Sequence, residues 1–321
     1  MPQFDLALPE LRRYAPALAE PTDLDAFWAS TLDAARASPP VVSAAPVATG
    51  LRLVDTWDVT FAGFGGDPVR AWFSRPAGTT RALPAVVEFA GYGRGRGLPH
   101  ERLTWVAAGY AHLLMDNRDQ GDLSGLGGGT PDPYAGGLQP VTRGILSPHD
   151  YYYRRLITDA VRAVDAVRAL PGVDPARVTA LGNSQGGGLA LAVAGLVPDL
   201  AALLTTAPFL CHVERAVALT DASPYGEIAR YLAVHRDAPE QVWRTLSYVD
   251  GVHLARRAVA PGHFGTGLRD TVCPPSTVFA AYNAYGGADR TMHTYPFNGH
   301  EGGDAVHVRR QLDWLAAKLS A

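Results

Sequence analysis

Apolar and polar positions alternate differently in different parts of this chain. Over residues 22–37 the apolar side chains recur at helical spacing, with Phe27, Leu32 and Ala35 on one face and Thr22 placed to cap the start. From Leu51 to Arg75 the period shortens to two. Trp57, Val59 and Phe61, then Val69, Ala71 and Phe73, mark two half-buried strands about a Gly65-Gly66-Asp67 turn. Beyond them the strand signals become continuous apolar runs: Ala85–Phe89, His112–Met115, Val178–Leu181 and Ala202–Leu204. Such runs suit strands covered on both faces. Helical stretches separate them, as in residues 151–169, where Leu156, Ala160, Val164 and Val167 share a face. The alternation predicts an α/β fold, a mostly parallel sheet with helices on both sides.

Residues 211–258 interrupt that rhythm with a more polar, helical pattern, read as a cap inserted over the sheet. The sheet resumes at Gly262–Gly267 and Thr291–Phe297, and an amphipathic helix over 304–320 closes the chain. The reading is one domain over 1–321, with residues 1–80 as an N-terminal helical and β-rich extension.

Composition narrows the function classes. With 47% hydrophobic and 18% charged residues, 321 residues can bury a sizeable core. A net charge of −3 without a basic block argues against nucleic acid. Two distant cysteines, Cys211 and Cys273, make no disulfide framework and read as reduced thiols. No secretory leader and no run of about 20 apolar residues is visible, so a cytoplasmic protein with no membrane partner is expected. No clustered metal-ligand spacing is present, and no metal or cofactor is expected.

The chemistry concentrates at Gly182-Asn183-Ser184-Gln185-Gly186, a G-x-S-x-G motif. Five residues are weak alone, but a strand enters this motif and a small-residue helix leaves it. That is the strand–elbow–helix setting of the α/β-hydrolase nucleophile. A serine hydroxyl needs a general base, and the base an orienting acid. In this fold both follow the serine, acid first. His300 lies in the loop after the last predicted strand and before the last helix, the place of the base. His293 falls within the strand and His307 on the helix. Asp270, in the segment after the preceding strand, is the candidate acid, with a possible second task as a helix cap. Asp250, Asp289 and Asp304 are weaker candidates. The oxyanion of the tetrahedral intermediate needs two backbone N–H groups. Gln185 supplies one, and Tyr92, in the glycine-rich loop 90–97, the other.

These residues and their surroundings resemble carbohydrate esterase family seven, the acetyl xylan esterases and cephalosporin C deacetylases. The resemblance runs nearly end to end. It includes Phe4-Asp5-Leu6, Asp25-Ala26-Phe27-Trp28, Gly182–Gly187, Ala207-Pro208-Phe209-Leu210-Cys211-His212, Arg244–Tyr248, Cys273-Pro274-Pro275-Ser276-Thr277 and His300-Glu301-Gly302-Gly303. The family's Arg-Gly-Gln marker is altered here to Arg118-Asp119-Gln120, where Asp can tolerate a positive φ. The resemblance implies Ser184, Asp270 and His300 as the triad, Tyr92 and Gln185 as oxyanion donors, and Trp105, Phe209 and Pro224 around a small acyl pocket. It also implies a homo-hexamer and small acetylated substrates, xylo-oligosaccharides and cephalosporin C-like acetates. A general short-chain carboxylesterase, a prolyl-oligopeptidase-like hydrolase and a non-catalytic protein of the same fold are the rival readings.

Overall fold

The computed structural model describes residues 3–121, 130–133 and 139–319. Nine strands form one sheet: β1 Ser43–Val47, β2 Val54–Ala62, β3 Pro68–Pro76, β4 Leu83–Phe89, β5 Ala111–Met115, β6 Val173–Asn183, β7 Ala202–Thr206, β8 Gly262–Gly267 and β9 Arg290–Tyr295. Their order is β1-β2-β3-β5-β4-β6-β7-β8-β9. The pairs among β1, β2, β3 and β5 are antiparallel, and those from β5 through β4 to β9 are parallel.

The two-sided burial read from the apolar runs follows from this order. Ala85, Val87 and Phe89 of β4 enter the main core with the helices Tyr152–Ala169 and Gln185–Leu196. Val86, one position out of phase, faces the opposite side, where Trp105, Tyr110, Leu181, Leu204 and Leu315 form a second cluster. Strand residues alternate between faces, so one apolar run serves two layers.

Three local expectations shift. The first long helix spans Leu24–Arg36 with Asp23, not Thr22, at its N-cap, and no side-chain cap bond forms there. Strand β1 was not signalled: Ser-Ala-Ala-Pro-Val is almost wholly exposed and carries Pro46, which an edge strand tolerates because one side needs no partner. The closing helix runs Asp304–Leu319; position 320 lies outside the described residues.

Between β7 and β8 the chain forms four short helices, Val213–Leu219, Tyr225–Val234, Pro239–Ser247 and Gly251–Ala255. The N-terminal segment is bonded to them. The Trp28 indole donates to the Tyr248 carbonyl at 2.9 Å, and the Tyr248 hydroxyl donates to Asp23 at 2.6 Å. Asp5 binds the Ser276 N–H at 2.7 Å and Arg215 at 3.1 Å. Two widely separated sequence markers thus meet at the start of the helix Pro275–Ala284. Cys211 and Cys273 are free and buried.

Candidate active site

Strand β6 delivers Ser184 at its C-terminal end, and the turn into the next helix is forced. Ser184 has φ 59° and ψ −124°, a conformation side chains rarely adopt. Its N–H donates to the Thr206 carbonyl at 3.0 Å, and its carbonyl accepts from Gly188 and Phe209, both at 3.0 Å. The flanking glycines make the turn possible. A Cβ on Gly182 would lie 2.1 Å from the backbone of Gly186, and one on Gly186 would lie 1.9 Å from the Phe89 carbonyl oxygen. The fixed residues of the motif are therefore a steric requirement of packing strand, turn and helix together.

His300 follows β9 in a loop and shares with Ser184 a cleft of about 620 Å³. Its Nδ1 lies 2.8 Å from Oδ2 of Asp270. Asp270 is fully buried. Its other oxygen accepts from the N–H groups of Val272 and Cys273 at 2.8 and 2.9 Å. Both oxygens are thus committed, one to hold the carboxylate and one to hold the imidazole. Asp270 caps the turn after β8; the N-cap of the following helix is Pro274. Of the other acids weighed, Asp250 accepts from the N–H groups of His212, Val213 and Val252, and Asp289 pairs with Lys318. Neither approaches His300. His293 and His307 cluster with His263 instead, with ring centroids 4.7 and 5.0 Å from His263.

The backbone N–H groups of Tyr92 and Gln185 find no acceptor among the described residues. Tyr92 lines the cleft, and Gln185 directly follows Ser184 at the start of its helix. The loop carrying Tyr92 is braced from behind. Asn117 donates to the carbonyls of Ala90, Gly91 and Arg94 at 3.2, 3.3 and 2.9 Å. Gln120 accepts from the Gly93 N–H at 2.8 Å. The Tyr92 hydroxyl donates to Glu227 at 2.7 Å, and burial together with that carboxylate pushes it above the usual tyrosine range. The Gln185 side chain is bonded to the Tyr153 hydroxyl at 2.7 Å and to Gln120 at 2.9 Å.

Asp119 takes φ 49°, the conformation the replaced glycine predicted, and its carboxylate pairs with Arg143 at 2.8 Å. Beside it, the fully buried Arg118 grips Asp159 through Nε at 2.6 Å and Nη2 at 2.7 Å and reaches Asp67 at 3.1 Å. Burial opposes its charge, but the carboxylates outweigh that cost and raise its pKa further.

Of the three residues expected around an acyl pocket, only Pro224 lines the cleft of Ser184. Phe209 sits behind Ser184, fully buried against Tyr153 and Tyr225. Trp105 is on the other face of the sheet beside Tyr110 and walls a separate cavity of about 250 Å³. The two cavities share Glu88, Arg102 and Asn183. Asn117, Gln120 and Glu227 escaped the reading as site residues. Gln120 stood in the recognised motif, but nothing local in the sequence marks Asn117 or Glu227, because their targets are 23 to 27 and 135 positions away.

A strained serine on an elbow, a histidine held by a buried acid and two unbonded N–H groups on this sheet define the class: a serine hydrolase with the α/β-hydrolase fold. Comparison with known proteins narrows it. The family model for acetyl xylan esterase (AXE1) matches residues 1–318. The chain is 30% identical over 319 residues to acetyl esterase Axe7A of Xylanibacter ruminicola, covering 97% of this chain and 70% of that protein. The solved acetyl xylan esterase from Paenibacillus sp. R4 superposes with a TM-score of 0.89 at 37% identity, covering 97% of this chain and 99% of that one. Acetyl xylan esterase 1 from Thermoanaerobacterium sp. JW/SL YS485 gives 0.86 at 32% identity, covering 98% and 99%. The chain belongs to the acetyl xylan esterase family and is a carboxylic ester hydrolase, a serine acetyl esterase.

Proposed function

We propose that Ser184, His300 and Asp270 are the catalytic triad of an esterase that removes acetyl groups from small acetylated sugars. The observation that carries this is the 2.8 Å contact of His300 Nδ1 with Asp270 in the cleft that holds Ser184. With Nδ1 held by the acid, the other ring nitrogen is the one left for the serine proton. Ser184 Oγ attacks the acetyl carbonyl as His300 accepts its proton. The Tyr92 and Gln185 N–H groups receive the developing oxyanion, a contribution of about 3–4 kcal/mol per donor in related chemistry. The tetrahedral intermediate collapses, the C–O bond to the alcohol breaks, and His300 returns the proton to that oxygen. Water, deprotonated by His300, then attacks acetyl-Ser184 and restores the free serine.

Pro224 lines the cleft of Ser184, and the resemblance gives it, with Phe209 and Trp105, a place around a small pocket for the acetyl group. The resemblance extends the reading to xylo-oligosaccharide acetates and cephalosporin C-like acetates as substrates and to a homo-hexamer, and a cytoplasmic location is part of the same proposal. The pattern of the chain is still read as one domain over 1–321 with 211–258 as its cap.

An acyl-length series on wild type and Ser184→Ala tests the reading. Acetate esters should be turned over well and butyrate or longer esters poorly, and Ser184→Ala should abolish both. Efficient turnover of longer esters overturns the acetyl assignment, and an unchanged rate in Ser184→Ala overturns the mechanism.

A further inference from the structure

Besides His300, three charged side chains line the cleft of Ser184: Glu88, Arg94 and Arg102. Two of them cancel. Glu88 Oε1 accepts from Arg102 at 2.7 Å, and its Oε2 meets His112 Nε2 at 2.9 Å. Burial works to raise the Glu88 carboxyl, and these two partners outweigh it and hold it below the usual range. Arg94 is different. Its backbone is fixed, the N–H donating to the Gly91 carbonyl at 3.2 Å and the carbonyl accepting from Asn117 at 2.9 Å. Its guanidinium makes no hydrogen bond, ion pair or ring contact among the described residues. Nearby arginines all have partners: Arg70 and Arg96 share Asp58, Arg102 takes Glu88 and Arg118 takes Asp159. The other acids close to the site are taken up: Glu227 accepts from the Tyr92 hydroxyl at 2.7 Å, and Asp270 holds His300 at 2.8 Å and accepts from the N–H groups of Val272 and Cys273. Glu301 and Asp304 wall the smaller cavity, and Glu301 is turned to the Gly299 N–H and the Asn298 amide.

We propose that Arg94 is a specificity-determining residue that favours acetyl esters whose alcohol side carries a carboxylate, the acetates of a sugar acid. This rests on the esterase reading above. The acetyl group is small and uncharged, so an anion presented to this guanidinium has to belong to the leaving alcohol. A guanidinium fork matches a carboxylate bidentately, and its place on the loop of Tyr92 puts that contact beside the reacting carbonyl. The contact binds substrate without entering the bond-making steps.

The test compares kcat/KM for a mono-acetylated methyl glucuronoside and its uncharged carboxamide. Wild type should prefer the acid by about two- to fivefold, the scale of an exposed charge pair. Arg94→Gln should bring the ratio close to unity, Arg94→Lys should keep only part of it because an ammonium cannot pair bidentately, and added salt should lower it in wild type. A wild-type ratio near unity, or one unmoved by Arg94→Gln, overturns the proposal. So does hydrolysis of aryl acetates with neither glucuronoside accepted. Failure of wild type on every acetate overturns the esterase reading itself, and this proposal with it.

Discussion

The side-chain amides of Gln120 and Gln185 face one another, Gln120 Nε2 at 2.9 Å from Gln185 Oε1 and Gln185 Nε2 at 3.1 Å from Gln120 Oε1. Gln120 also accepts from the Gly93 N–H and donates to the Tyr152 hydroxyl, both at 2.8 Å. One buried amide thus links the loop of Tyr92 to the residue after the nucleophile. The two N–H groups proposed to receive the oxyanion come from different segments, so their spacing depends on this link.

Gln120→Leu should therefore slow the chemical step while leaving substrate binding nearly intact. The expected loss is roughly 10- to 100-fold in kcat, below the full cost of a deleted oxyanion donor. Steady-state kinetics on an aryl acetate reads it, and a change confined to KM would contradict the positioning role.

Arg118→Met should destabilise the fold. It leaves Asp159 buried without its bidentate partner, and breaking a buried pair from one side costs about 3–5 kcal/mol. Urea unfolding should show the lower midpoint. Because Tyr152 donates its hydroxyl to the Arg118 carbonyl, the Gln120 network should loosen as well, and activity should fall before the protein unfolds.

Acid should weaken the packing of the last helix on β8 and β9. Burial is the main cause that lowers His263 to about 3 and His307 to about 4, with the neighbouring histidines and Arg310 acting in the same direction. Both rings are neutral in the fold, whereas in the unfolded chain they take up protons near the ordinary histidine value of 6.5. Below that pH the unfolded state binds more protons, so this contribution to stability is complete above about 6.5 and declines toward about 4 and 3. His263→Leu should flatten the fall of Tm over that range. An equal slope in variant and wild type would contradict the assignment.

The sequence was most informative where one residue type is forced by its immediate neighbours. Gly182 and Gly186 are fixed by contacts inside the elbow, and Asp270 and His300 by the chain order of the fold. The buried runs of β4 to β8 announced the parallel sheet because burial on both faces removes polar alternation. Strand β1 left no signal because an exposed edge buries almost nothing. The residues that brace the site from behind were the hardest part to read. Asn117 and Glu227 work through contacts that only the folded topology creates, and nothing next to them in the chain changes with that task. Trp105 illustrates the converse: a family position carried over by resemblance lies on the opposite face of the sheet, beside a second cavity.

In the proposed mechanism Ser184 carries the acetyl group in each turnover. Asp270→Asn should slow deacylation by removing the carboxylate that orients His300 and stabilises its charged form, so that a covalent intermediate accumulates. This variant, mixed with an aryl acetate, quenched in acid and digested, should yield by mass spectrometry one acetyl group on the peptide containing Ser184, and none in the Ser184→Ala control. Turnover with that peptide unmodified, or an acetyl group found instead on another side chain, would contradict the account.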